Sequence, residues 1–210
     1  MTYKENDVII TSAVRTAIGT VGGFLKDTHS YDLGSKVIKE SLIRSKLKNT
    51  EVDEVVLGQV LTGGIGQNPA RQAAIKANLP INKTAYIINQ VCGSGLRSIA
   101  AGYQSIVSKD SNIIIAGGQE SMSKAPYVTD IRDKKKFKKK FLIDTMIKDG
   151  LWDAFNDYHM GVTAENVAQK WKINRKEQDQ FAFESQQKTK KAQDDNKFSD
   201  EIIPINIKFN

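Results

Sequence analysis

Over the first 118 residues the apolar positions switch repeatedly between strand-like and helical spacing, and each switch predicts an element. Residues 7–15, Asp-Val-Ile-Ile-Thr-Ser-Ala-Val-Arg, predict a first strand. The loop Gly19-Thr-Val-Gly-Gly23 follows, rich enough in glycine to turn tightly. Leu33, Val37, Ile38, Leu42 and Ile43 then recur at helical spacing within a helix predicted over 31–47, and Val55, Val56, Leu57 and Val60 return to strand character over 53–61. Asn68-Pro69 reads as a helix start, because Asn caps through its side chain and Pro is tolerated in the first turn; good helix formers fill 70–77. Residues 85–89 predict a buried strand. Leu96, Ile99, Ala100, Tyr103, Ile106 and Val107 line one face of a helix over 93–108, and residues 111–116 form a short apolar strand ending at Gly117-Gly118. Strands and helices alternating at this rhythm predict a layered α/β fold whose strands are apolar on both faces and covered by helices.

Beyond Gly118 the texture changes, with no comparable apolar strand before 201–209. A boundary is expected near 119, separating a core domain (1–118) from a helical, loop-rich region (119–210). In that region Thr163 is expected to cap a helix ending at Trp171, and Asn174 with Glu177 forms a capping-box start for a helix to about Gln193. There is no internal repeat.

Composition narrows the class. With 40% hydrophobic and 26% charged residues, the 210-residue chain has the make-up of a globular protein with a real core. The single Cys excludes an intramolecular disulfide and any multi-thiolate metal site within these residues, and points to a reducing compartment. The N-terminal apolar run is too short for a signal peptide and no stretch is long enough to span a membrane, so a cytoplasmic location is expected. The net charge of +7 is mostly local, because residues 132–140 hold seven basic residues and one acidic one. That run reads first as a solvated loop, second as an attractor for a phosphate-bearing cofactor, and last as a nucleic-acid contact. No nucleic-acid partner is expected.

Three places could carry chemistry. Cys92 stands between the strand at 85–89 and the helix at 93–108, in Asn89-Gln-Val-Cys-Gly-Ser-Gly95. Unpaired N–H groups and the helix dipole favour a thiolate there, and the small residues after it would let a substrate carbonyl approach backbone donors. A lone Cys is also commonly a small buried hydrophobe, so both readings stand at this level. Gly117-Gly-Gln-Glu-Ser-Met-Ser123 follows the next strand and should open on the same sheet edge, either as part of a site or as a structural turn with Glu120 paired or solvated. His159, in Asp157-Tyr-His-Met-Gly161, is one of two histidines and reads as a surface or hydrogen-bonding residue; His29 lies in a polar loop. Neither has metal-ligand spacing, and no metal is expected.

Four strings, Gln67-Asn-Pro-Ala-Arg-Gln72, Val91-Cys-Gly-Ser-Gly95, Gly117-Gly-Gln-Glu-Ser-Met-Ser123 and Tyr158-His-Met-Gly-Val-Thr-Ala-Glu-Asn166, resemble the thiolase family in identity, order and spacing. The resemblance runs from about residue 6 to the last residue and is strongest with the acetyl-CoA C-acetyltransferase branch. It implies a thiolase-like layered α-β-α domain, Cys92 as the nucleophile that forms an acyl thioester, and condensation of two acetyl-CoA molecules to acetoacetyl-CoA, or the reverse thiolysis. It implies that Leu151, His159 and Met160 belong to an inserted loop domain covering the pantetheine arm of CoA, with 67–72 near subunit contacts. Coenzyme A thioesters are then substrates, no cofactor is held permanently, and a homo-oligomer, dimer or tetramer, is expected of the full-length protein.

Two departures stand out. Gln119 occupies a position where the family commonly has Met, a mild change. More consequentially, the family mechanism also uses a His in Gly-His-Pro, an Asn in Asn-Glu-Ala-Phe and a second Cys, all from a C-terminal thiolase domain absent from these 210 residues. Condensation by this chain alone is therefore not expected, and a non-catalytic CoA- or partner-binding remnant is the alternative. Ketoacyl synthases share the implied fold and a nucleophilic Cys but lack the first and last of the four strings.

Overall fold

A computed structural model describes residues 7–130 and 142–207; the basic run at 132–140 lies outside the described residues. The elements are β1 (Arg15–Thr16), α1 (Ser30–Ser45), β2 (Glu54–Gly58), α2 (Pro69–Lys76), β3 (Thr84–Ile88), α3 (Ser94–Val107), β4 (Ile114–Gly118), β5 (Tyr127–Val128), β6 (Ile143–Asp144), α4 (Thr145–Gly150), β7 (Trp152–Asp153), β8 (Tyr158–His159), α5 (Met160–Trp171), α6 (Arg175–Asp194) and β9 (Ile202–Ile203).

The centre is a parallel sheet in the order β3-β2-β4, with Gly58 opposite both Ile88 and Gly118. On one face Val55 and Leu57 join Ile38 and Leu42 of α1 and Ala70, Ala73 and Ala74 of α2 in a buried cluster. The alanines of α2 let that helix lie close to both α1 and the sheet. Val56 and Gly58 alternate to the opposite face, where α3 packs. The result is the layered α-β-α arrangement expected of the sequence. Asp53 fastens the start of β2 to the start of β4: its carboxylate accepts the N–H groups of Asn112 (2.8 Å) and Ile113 (3.1 Å). Those two bonds, the Asn112 one first, with help from Lys83, hold its pKa below 3.8.

Several expectations change. Residues 7–15 form a ladder only at Arg15–Thr16, paired in parallel with Ile202–Ile203, and Ile9 and Ile10 are exposed, so the apolar pattern there has no neighbour to pair with among the described residues. Residues 85–89 are an edge rather than a fully buried strand, with Thr84 and Tyr86 exposed. The apolar stripe that predicts α3 is not the face that meets the sheet. Ser94, Ser98 and Gly102 are buried, whereas Leu96, Ile99, Tyr103 and Val107 are exposed. The reason is proximity: a Cβ on Gly102 would come within 3.2 Å of Ile114, so only small side chains fit between helix and sheet. Thr163 lies inside α5, whose cap is His159, because the His159 ring reaches the second helical N–H before Thr163 can act. The capping box of Asn174 and Glu177 forms as expected and α6 runs to Asp194.

Candidate active site

All three strands of the parallel sheet end at one edge, and the chain leaves it through residues 59–61, 89–93 and 119–121. Ligands of open α/β sheets bind at such an edge. Cys92 lies in the second of these exits, between β3 and α3. It is exposed, immediately before the first turn of α3, whose N-cap is Gly93. The buried-hydrophobe reading of this Cys is thereby removed.

The bend from β3 into α3 is drawn tight. Asn89 Oδ1 accepts the Val91 N–H at 3.0 Å, and Ser94 Oγ donates to Val91 O at 2.5 Å while accepting the Gln90 N–H at 2.9 Å. The Gly93 and Ser94 N–H groups bond back to Gln90 O (3.0 Å) and Val91 O (3.1 Å). The sequence leads one to expect backbone donors here open to a substrate carbonyl, and these two are already engaged in the turn. The small residues after Cys92 serve a different need. A Cβ on Gly58 would lie 2.3 Å from the Ser94 carbonyl carbon and 2.4 Å from Gly95 N, so the first turn of α3 rests directly on the end of β2. Ser98 Oγ, 2.6 Å from Gly95 O and 2.5 Å from Gly117 O, ties the same turn to β4.

The string at 117–123 begins with the two glycines that end β4 and then turns, paired to the neighbouring exit. Glu120 Oε2 accepts the N–H groups of Val60 (2.9 Å) and Leu61 (3.1 Å), locking the two neighbouring strand exits together. Gln119 is buried and donates through Nε2 to Gln59 Oε1 at 2.8 Å, and Gln59 donates on to Leu61 O at 2.9 Å. Glu120 thus ties the two exits together, and Gln119 has a partner for its Nε2 in Gln59 while its buried Oε1 has none among the described residues.

Leu151, His159 and Met160 come together at a second, smaller construction. β7 and β8 form a hairpin with Trp152 opposite His159, and the Met160 N–H bonds to Leu151 O at 2.9 Å. Asp153 shapes the hairpin turn: it accepts Asn156 Nδ2 (2.8 Å), the Asn156 N–H (3.0 Å) and the Phe155 N–H (2.8 Å), which lower its pKa, the Asn156 side chain most. His159 Nδ1 accepts the Gly161 N–H at 3.0 Å, so in the neutral ring the proton sits on Nε2. The end of α4 lies against residue 61, since a Cβ on Gly150 would be 3.7 Å from Leu61 Cδ2. This places the hairpin's root at the sheet edge that carries Cys92. Among the described residues no group of three or more His, Cys, Asp or Glu is placed to hold a metal, and no helix is long and apolar enough to cross a membrane.

Sequence reasoning did not single out Gly58, Gln59 or the left-handed backbone of Val91 (φ +48°). Gly58 ends an apolar strand, which is the one signal that could have marked it.

Comparison with known proteins matches this arrangement to a family. The family model described as "Thiolase, N-terminal domain" matches residues 8–210. The acetyl-CoA acetyltransferase of Rhizobium meliloti (strain 1021) is 54% identical over 201 residues, covering 96% of this chain and 51% of that protein. That of Paracoccus denitrificans is 54% identical over 200 residues (95% and 51%), and the probable acetyl-CoA acetyltransferase of Escherichia coli (strain K12) is 50% identical over 205 residues (97% and 52%). The chain spans about half the length of these curated relatives. An α/β sheet with Cys92 at the edge where its strands end and a family match over nearly every residue lead to one conclusion: this chain belongs to the thiolase family, as its N-terminal domain.

Proposed function

We propose that the chain is the acyl-carrying part of an acetyl-CoA C-acetyltransferase, with Cys92 as nucleophile. The observation that carries this reading is the exposed Cys92 thiol at the strand–helix junction of the sheet's ligand edge, in a chain whose relatives are named for this activity. In the first half-reaction the Cys92 thiolate attacks the acetyl-CoA carbonyl, the C–S bond to CoA breaks, and CoA thiolate leaves to take up a proton. The product is an acetyl thioester on Cys92. In the second, a carbanion from another acetyl-CoA attacks that thioester, expels the Cys92 thiolate and gives acetoacetyl-CoA. Cys92 is acylated when this carbanion must form, so Cys92 is not the base, and a thiolate base would have to be a Cys other than the single one in these residues.

In this reading residues 1–118 form the core domain and 119–210 the beginning of a loop domain over CoA. Leu151 and Met160 offer apolar surface to the pantetheine arm, and His159 offers its Nε2–H as a donor. Substrates are CoA thioesters, no cofactor is held permanently, and the whole protein is a cytoplasmic homo-oligomer. The test is thiolysis: with the remaining half of a relative supplied in trans, acetoacetyl-CoA and CoA should yield acetyl-CoA, and Cys92→Ser should abolish it. Thiolysis that persists in Cys92→Ser contradicts the assignment. Binding of CoA without turnover or acetyl transfer by the unaltered chain favours the non-catalytic alternative.

A further inference from the structure

We infer that Ser94, assisted by Asn89, is a positioning residue: its buried hydroxyl holds Val91 in a left-handed backbone conformation and thereby fixes the Cys92 thiol at the start of α3. The inference rests on reading Cys92 as the nucleophile. Val91 has φ +48°, and the other non-glycine residues with positive φ among those described are Lys, Asn or Asp. For a β-branched residue this region is a steric outlier, so something must hold it. The Val91 side chain does not, because it is half exposed at 50%. The backbone is held instead. Val91 N–H goes to Asn89 Oδ1, Val91 O receives the Ser94 hydroxyl, and the same oxygen atom of Ser94 accepts the Gln90 N–H. A single Oγ atom, in a residue only 4% exposed, thus fastens the peptide units on both sides of Val91, beside the turn's own Gly93 and Ser94 N–H bonds to Gln90 O and Val91 O.

Without that atom Val91 relaxes toward negative φ, and the next residue to swing is Cys92. Its sulfur then leaves the N-terminal end of α3, the end of a helix whose dipole favours negative charge. Access does not change the outcome, since Cys92 is exposed to begin with.

The test uses the 210-residue chain and iodoacetamide, which alkylates Cys92 without any need to recognise CoA. Ser94→Ala keeps the Cβ packing and removes two hydrogen bonds; the alkylation rate constant at neutral pH should fall about tenfold. Val91→Gly should leave the rate unchanged, because glycine adopts positive φ freely. The double variant Val91→Gly, Ser94→Ala should return to within about twofold of the unaltered chain. A Ser94 that merely supports the fold gives equal losses in both backgrounds. An unaltered rate in Ser94→Ala, or a deficit or failure to fold that Val91→Gly does not restore, overturns the inference. Exposure to acetyl-CoA is run in parallel: a Cys92 that alkylates and responds to Ser94→Ala but never becomes acetylated rejects the acyl-carrier role of Cys92 alone.

Discussion

Replacing Gly58 with Ala should both destabilise the chain and displace its nucleophile. The added Cβ would lie 2.3 Å from the Ser94 carbonyl carbon, 2.4 Å from Gly95 N and 2.6 Å from Ser94 O, all of them backbone atoms that cannot rotate away. Ordinary contact begins near 3.4 Å, so the first turn of α3 must lift by about 1 Å or β2 must bend. Overpacking of this kind costs about 1–3 kcal/mol, and the rigid obstacle puts Gly58→Ala at the upper end. Gly117→Ala is the matched control. It lies in the same sheet, one register position from Gly118, and its Cβ would meet nothing within 4 Å, so it should be neutral or stabilising by about 0.5 kcal/mol. In urea the Gly58→Ala midpoint should fall about 1 M below that of Gly117→Ala. Acetylation of Cys92 should slow in the first variant and not in the second. Equal midpoints would refute the idea that α3 rests on Gly58.

Two other perturbations follow from the same fold. Asp53 has a folded pKa below its ordinary 3.8, so its contribution to stability is present above about pH 4 and disappears as the pH falls through the lowered value. Asp53→Asn should therefore destabilise against urea at pH 7 and cost progressively less as the pH falls through the lowered folded value and the carboxylate takes up its proton; a loss that does not change with pH would contradict the carboxylate's role. Asn68 caps α2 from a left-handed backbone (φ +41°) and donates to Ala85 O at 2.9 Å. Asn68→Ala should cost about 2 kcal/mol and Asn68→Gly clearly less, measured by thermal or urea unfolding, because glycine accepts the backbone shape that alanine resists.

The sequence made α1 and β2 legible through their apolar patterns, and α2 and α6 through their start signals, Asn68-Pro69 and the Asn174/Glu177 box. It misjudged which side of α3 meets the sheet. Periodicity finds an apolar stripe but not what covers it, and here close approach at Gly58 and Gly102 admits only small side chains. Residues 7–15 failed for a related reason: a strand needs a neighbour, and the pattern does not say where one stands. The position of Cys92 was legible as strand, Cys, small residues, helix. The engagement of the Gly93 and Ser94 N–H groups and the left-handed Val91 were not, because hydrogen bonds that close a bend in three dimensions leave no periodic trace.

The central claim, that Cys92 carries the acyl group, is most directly tested by incubating the chain with acetyl-CoA and locating any acetyl adduct by peptide mass. The account predicts an adduct on Cys92 that is absent in Cys92→Ser and is removed again by excess CoA, which regenerates acetyl-CoA. An acetyl group found on lysines alone, or one on Cys92 that CoA cannot remove, would contradict it.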